Sequence, residues 1–199
     1  MDEQQRAAEF WTSLRARHPR FWEAVKEDAR VSAKHRGERH EFRSAFDLVL
    51  QLIRLAWASD AFLAQLLYRG KASLQAHGIP VLPRLLHRMA MATAQVSIGD
   101  PVVIAPGVYI VHGQVVADGL VEIAEGVVIS PFVTIGLRGG DVRGPTIERF
   151  VSIGTGAKLI GPVRVGERAK IGANAVVVDD VPVGATVVGV PARPVDGPD

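Results

Sequence analysis

Aliphatic residues recur at every sixth position through the second half of the chain. Stepping from Ile98 gives Ile104, Ile110 and Val116. After one extra residue, set at Asp118-Gly119, the register resumes at Ile123, Ile129 and Ile135. It skips a step across a loop, returns in phase at Ile147, and runs on through Ile153, Leu159, Val165, Ile171, Val177 and Val183. A helix demands a period of 3.6 and a two-sided sheet a period of 2, so neither explains a period of six. Six residues make one short strand and a corner. Three such units close a triangular coil, and stacked coils bury their inward residues against one another. Gly99, Gly136, Gly154, Gly166, Gly172 and Gly184 each follow an aliphatic anchor directly, where the chain must turn. The pattern predicts a left-handed parallel β-helix over residues 95–193, with the aliphatic anchors pointing inward.

The first 94 residues follow a different rule. Apolar positions at helical spacing (Phe10, Trp11 and Leu14; Phe21, Trp22 and Val25; Phe46, Val49, Leu50, Ile53 and Trp57; Phe62, Leu63, Leu66 and Leu67) predict a bundle of amphipathic helices with the aromatic residues in its core. Ser59-Asp60 reads as a break and N-cap between two helices, and Gly78, Pro80 and Pro83 precede a last helix at about Arg84 to Thr93. Only three of the 20 glycines lie in this half, so the composition break coincides with the change of period. The fold class is therefore α+β: a helical region over 1–94, a β-helix over 95–193 and a short tail over 194–199. A stack of coils has open ends, and the helices are expected to cap one of them.

Composition narrows the function. Cysteine is absent, which removes disulfide scaffolds, thiolate metal sites and cysteine nucleophiles together. No apolar run reaches the ~20 residues that span a bilayer, and the polar start Met1-Asp2-Glu3-Gln4-Gln5 has no secretory pattern. No membrane is expected as a partner, and the cytoplasm is the expected location. The net charge is +2, and the basic segment Lys34 to His40 is diluted by Glu38 and Glu41 without interleaved aromatics. It reads as a solvated inter-helix loop, with no nucleic acid implied. His112 is the one histidine beyond residue 95. It lies two places past an anchor, with a glycine after it that leaves room for a substrate. An imidazole titrating near neutrality suits a general base that takes a proton from an attacking hydroxyl. A solvated or interface histidine is the competing reading.

From about Phe62 to Arg193 the chain resembles the serine O-acetyltransferases, a branch of the hexapeptide-repeat acyltransferases. The resemblance is carried by His112-Gly113, the loop Gly139-Gly140-Asp141-Val142-Arg143-Gly144-Pro145, the run Ile153 to Lys158 and the ending Asp180 to Arg193. It implies an acetyl-CoA-dependent transfer onto a small hydroxy acceptor, with His112 as general base and no metal. It implies that Arg143 holds the acceptor carboxylate, and that Gly136, Gly154, Thr155, Lys170 and Ala173 line the donor groove. It further implies a role in cysteine biosynthesis and a homotrimer, or paired trimers, with each site shared between two subunits.

The chain departs from the family in three places. Val111 stands where the family has an aspartate before the base. Gly144 stands where it has a histidine after the loop arginine. The family's isoleucine-ended tail is absent, the chain ending Asp196-Gly197-Pro198-Asp199. The first two departures touch the acceptor and leave the donor side intact. Asp118 or Glu122 is a candidate to replace the lost orienting carboxylate, and Asp47 a candidate for a substrate-binding acid in the helices. Two alternatives stay open: an acetyltransferase with another acceptor, such as a sugar or a biosynthetic intermediate, and a non-catalytic scaffold. A zinc hydratase on the same coil needs three histidines where this coil has one.

Overall fold

A computed structural model describes residues 3–195. Among them, five helices, α1 (Glu3–Ala16), α2 (Phe21–His35), α3 (Ala45–Ala58), α4 (Asp60–Ala76) and α5 (Leu82–Ala94), precede a left-handed β-helix. Ser59 closes α3 and opens α4, its hydroxyl accepting from the Phe62 N–H, as the sequence predicts. The last helix starts two residues earlier than expected because Pro83 falls within its first turn, where its missing N–H costs nothing. Among the described residues no helix is long and apolar enough to cross a membrane.

The strands are short and stack into three faces. Face one holds β1 (Ser97–Ile98), β4 (Val116–Ala117), β7 (Thr134–Gly136), β10 (Lys158–Ile160) and β13 (Val176–Val177). Face two holds β2 (Val103–Ile104), β5 (Leu120–Ile123), β8 (Arg143–Ile147) and β11 (Arg164–Val165). Face three holds β3 (Tyr109–Ile110), β6 (Val128–Ile129), β9 (Ser152–Ile153), β12 (Lys170–Ile171), β14 (Thr186–Val188) and β15 (Arg193–Val195). Each coil visits the faces in turn, so the prism has a first edge between faces one and two, a second between two and three, and a third where face three returns to face one. The rest of the 194–199 tail lies outside the described residues.

Twelve of the fourteen predicted anchors are buried, Ile104, Ile129 and Ile171 among them. Two are not. Val116 is 42% exposed, and Ala117 takes the inward place, level with Ile98 and Ile135. Val183 is 71% exposed, and Val181 turns inward against Val165. A second inward position, two residues before each anchor, completes the core: Val96, Val102, Val108, Val115, Val121, Val127 and so on to Ala175. This doublet relocates the extra residue. Ile110 and Val115 enclose four corner residues, whereas Ile129 to Val133, Ile153 to Ala157 and Ile171 to Ala175 each enclose three. The insertion is therefore at the His112 corner and not at Asp118-Gly119.

The helices cap the first coil by chemistry as well as by cover. N–H groups of coil one donate to coil two, as Ser97 does to Val115, Ala105 to Ile123 and Tyr109 to Val127. Carbonyls of coil one consequently face away from the stack with no strand to meet them, and a buried unpaired carbonyl is costly. One face of α4 meets them. Gln65 donates to Val108 O at 2.9 Å, the Tyr68 hydroxyl to Val102 O at 2.8 Å, Arg69 to Ile104 O and Ala105 O, and Lys71 Nζ to Ile98 O at 2.6 Å. Arg69 is itself held by Asp28 of α2, both side chains buried. Ala61, Ala64 and Tyr68 join the coil residues in one apolar core. At the far end β15 pairs antiparallel with β14.

The aromatic residues of the helical half are mostly not in its core, contrary to expectation. Phe62 is buried, but Phe10, Trp11, Trp22 and Phe46 are exposed and Trp57 is 94% exposed. Alanine, valine and leucine fill the small space between α2, α3 and α4 (Val25, Ala29, Ala33, Leu52, Leu55), which leaves the bulky rings outside. The basic segment forms the loop between α2 and α3, where Glu38 pairs with Arg36 and Arg54, and Arg39 forks onto Asp47.

His18, between α1 and α2, sits near Tyr68 with its Nδ1 buried and unpartnered. Burial, then the charges of Arg69, Lys71 and Arg17, lower its pKa from 6.5 to about 4. A base whose folded pKa is depressed stabilises the fold above its unfolded pKa and loses that contribution as pH falls toward the folded value. The melting midpoint is expected to drop between about pH 6.5 and pH 4, and His18→Phe to lessen that drop in a pH series of thermal melts.

Candidate active site

The third edge gathers most of the residues the sequence singles out. His112 lies on it in coil one, Gly154 and Thr155 in coil three, and Ala173 in coil four. Lys170 points outward from β12 on the adjoining face three, level with Ser152 and Thr186, and its ammonium has no hydrogen bond among the described residues. His112, Thr155, Lys170 and Ala173 are all exposed.

The His112 corner is pinned on both sides. Before it, Val111 N–H donates to Ile129 O at 3.0 Å. After it, Gln114, in the left-handed region at φ 65°, donates to the carbonyl of Ala94 at 2.9 Å. Ala94 ends α5, so this bond satisfies one of the carbonyls that a helix leaves open. Gly113 is glycine for the same reason. A Cβ there would stand 1.9 Å from Ala94 O, so the space beside it belongs to the helix end and not to a substrate. Gly113→Ala is expected to lower stability by about 1–3 kcal/mol through overpacking, measured by denaturant unfolding.

The two glycines expected to line a donor groove differ in kind. A Cβ at Gly154 would lie 2.7 Å from Ala173 N, so packing between coils three and four already requires glycine there. A Cβ at Gly136 would meet nothing within 4 Å, leaving open space beside the backbone. Gly136 ends β7 at the first edge, away from the other donor candidates.

Arg143 opens β8 on face two, the face opposite the third edge. The loop at the skipped step, between Ile135 and Ile147, is shorter than that gap, because 143–147 is strand, paired with β5 and β11. Within the loop Leu137 lies back over Gly119. The Arg143 guanidinium forks onto Asp141, with Nε at 3.0 Å from both carboxylate oxygens and Nη2 at 2.7 Å from Oδ2. That pairing, with the Arg143 N–H, holds the Asp141 carboxyl at about 2. The Arg143 fork is thus already taken up by a carboxylate, that of its own neighbour. It borders a cleft of about 380 Å3 between α1 and face two, walled also by Leu14, Arg17, Leu120, Glu122 and Arg164. Gly144 packs on Val121, where a Cβ would come within 2.4 Å, so no larger side chain fits this backbone path.

The other acidic candidates have local roles. Asp118 caps the Gly119 N–H at the first edge, Glu122 pairs with Arg17, and Asp47 holds Arg39 and the Arg43 N–H. None of these three lies on the third edge. Among the described residues no three His, Cys, Asp or Glu side chains converge to hold a metal. The sequence reading overlooked Phe132, which stands on the third edge between His112 and Thr155, 54% exposed. Its corner aligns with those of Gln114 and Gly156 once the inward doublets are aligned, and that alignment was the available signal.

Residues 144–179 match the model of the bacterial transferase hexapeptide family (six repeats). The chain is similar to a serine acetyltransferase of Helicobacter pylori, at 38% identity over 133 residues that cover 65% of this chain and 78% of that one. A Mycobacterium tuberculosis serine acetyltransferase is 43% identical over 117 residues, 55% of this chain. The chain spans about half the length of that protein (51%) and of a Synechococcus elongatus counterpart (48%). Among solved structures it is similar to the Neisseria gonorrhoeae serine acetyltransferase in complex with serine, with TM-score 0.74 and 28% identity over 87% of this chain and 68% of that one. A serine acetyltransferase in complex with CoA gives TM-score 0.69 at 29% identity, over 86% of this chain and 68% of that one.

Proposed function

Since the chain belongs to the serine acetyltransferase family, we propose that it is an acetyl-CoA-dependent O-acetyltransferase acting on serine or a similar small hydroxy acid. The observation that carries the reading is the His112 corner. It is the one corner of the third edge with an added residue, that stretch contains the only histidine of the coil, and it is pinned on both sides of that histidine. The acceptor hydroxyl loses its proton to the imidazole as its oxygen attacks the thioester carbonyl. The tetrahedral intermediate collapses with loss of the CoA sulfur, which takes the proton back from the imidazolium. Val111 offers no carboxylate to steady that imidazolium. The C-terminal end of α5 stands beside the corner, joined to it by the Gln114 N–H to Ala94 O hydrogen bond.

Thr155 and Ala173, with Gly154, line the path of the donor along the same edge, and Lys170 supplies a point charge for a phosphate. Support for this donor comes from the family relative solved with CoA. Arg143 is the acceptor-carboxylate clamp. Because it lies on the face opposite His112, one chain alone does not assemble both halves of the site. The reading therefore includes a homotrimer, or paired trimers, in which the third edge of one copy meets face two of the next. The cytoplasm, where acetyl-CoA is available, is the proposed location.

The test is release of CoA thiol from acetyl-CoA with serine and with a panel of other hydroxy acids and sugars. Turnover with a carboxylate-bearing acceptor is expected, and Arg143→Ala is expected to raise its KM by about tenfold or more, the loss of a charge-assisted bidentate contact. An unchanged KM in that variant would move the reading to a neutral acceptor. No release with any acceptor would favour a scaffold.

A further inference from the structure

Each coil places one residue in the left-handed region at its third-edge corner: Gln114, Phe132, Gly156 and Asn174, with φ of 65°, 63°, 75° and 56°. Glycine and asparagine tolerate that backbone, whereas a bulky aromatic residue there is an outlier that points to a role. The β-helix has one other such aromatic, Phe150 at φ 59° on the second edge, and its own packing accounts for it. The Phe150 ring covers Gly126, where a Cβ would fall 2.3 Å from it, and lies under the Arg168 guanidinium at 5.2 Å. Phe132 has no such partner, making no ring or cation contact among the described residues. Its backbone is nonetheless fixed. Pro131 O accepts from Gly156 N–H at 2.9 Å, and Phe132 O accepts from Lys158 Nζ at 2.6 Å.

Adjacent coils are ~4.8 Å apart along the prism. Phe132, in coil two, thus stands one coil from the His112 corner and one coil from Thr155. A donor that lies over Gly154, Thr155 and Ala173 with its thioester at His112 carries its pantetheine arm past this ring, and the acyl group held at His112 then has the ring one coil away, beside it. We infer that Phe132 is a specificity-determining residue whose ring walls off the acyl position and confines the donor to short acyl groups. The inference rests on the acyl-CoA reading above and adds the basis of donor selection.

The experiment compares kcat/KM and direct binding for acetyl-, butyryl- and hexanoyl-CoA in the full chain, Phe132→Gly and Phe132→Asn. Both replacements accept the left-handed corner, and asparagine keeps a side chain there, so at least one folded variant is available. Each methylene in an apolar pocket changes selectivity by about 10–200-fold. The butyryl-to-acetyl ratio is expected to rise tenfold or more in both variants, with subunit mass and melting curve retained. An unchanged ratio with turnover intact overturns the inference alone. A change of oligomeric mass in both variants also overturns it, assigning Phe132 to a contact between copies. Failure of the parent chain to bind any acyl-CoA overturns the functional reading and this inference together.

Discussion

Replacing Arg69 with methionine is expected to destabilise the protein by about 3–5 kcal/mol, the cost of leaving a buried charge without its partner. Three groups lose a partner at once. Asp28 loses its bidentate partner at 2.8 and 3.2 Å and keeps the Gly107 N–H, and the carbonyls of Ile104 and Ala105 lose the Arg69 donor that reaches them across the cap. For a chain of this size each kcal/mol lowers the melting midpoint by about 2–4 °C, so a fall of about 6–20 °C is expected. The double variant Asp28→Leu, Arg69→Met should recover part of that loss, because it removes the stranded carboxylate as well. Thermal melts of the two variants beside the parent check this. A shift of under 1 kcal/mol in Arg69→Met would mean that the helices do not cap the coil through these carbonyls.

The cap shows where the sequence was readable and where it was not. The inward anchors could be read because a three-sided coil accepts only aliphatic side chains inside and repeats the demand at every strand. The error at Val116 arose because valine is common on both sides of these strands, so aliphatic identity alone does not separate inside from outside. The doublet does, since Val115 and Ala117 repeat the spacing of Val108 and Ile110. The aromatic residues of the helices misled for a related reason. Helical spacing says which residues share a face but not whether that face is covered, and Trp57 shares an uncovered one with Phe46 and Ile53. Gln65, Tyr68 and Arg69 gave a signal at i, i+3 and i+4 within an apolar helix, which marks a polar stripe. Only the register of coil one reveals what that stripe meets.

The candidate site divides the same way. His112 stands out in the sequence as the lone histidine of the coil, and the resemblance implies its role. That its corner holds the inserted residue, and that Gly113 is dictated by the end of α5, depends on packing between elements distant in sequence. Arg143 could be picked out, but its pairing with Asp141 and its place opposite His112 are three-dimensional facts that no spacing in the sequence records.

Loss of the His112 imidazole should be the largest change in activity. General-base catalysis contributes about 10²–10⁴-fold, and neither Val111 nor Gly113 can take over the proton. The ring is exposed and makes no hydrogen bond among the described residues, so removing it should leave the fold unaltered. The effect should therefore appear in kcat, with KM for acetyl-CoA and the melting midpoint close to those of the parent.

The decisive measurement is steady-state CoA release at saturating acetyl-CoA, with the best acceptor from the panel, for the parent chain and His112→Ala side by side. The expected result is turnover in the parent and a fall of at least about a hundredfold in the variant, at equal thermal stability. Equal rates in the two proteins, or no release from either with any hydroxy acceptor, would contradict the assignment of the third-edge corner as the catalytic base.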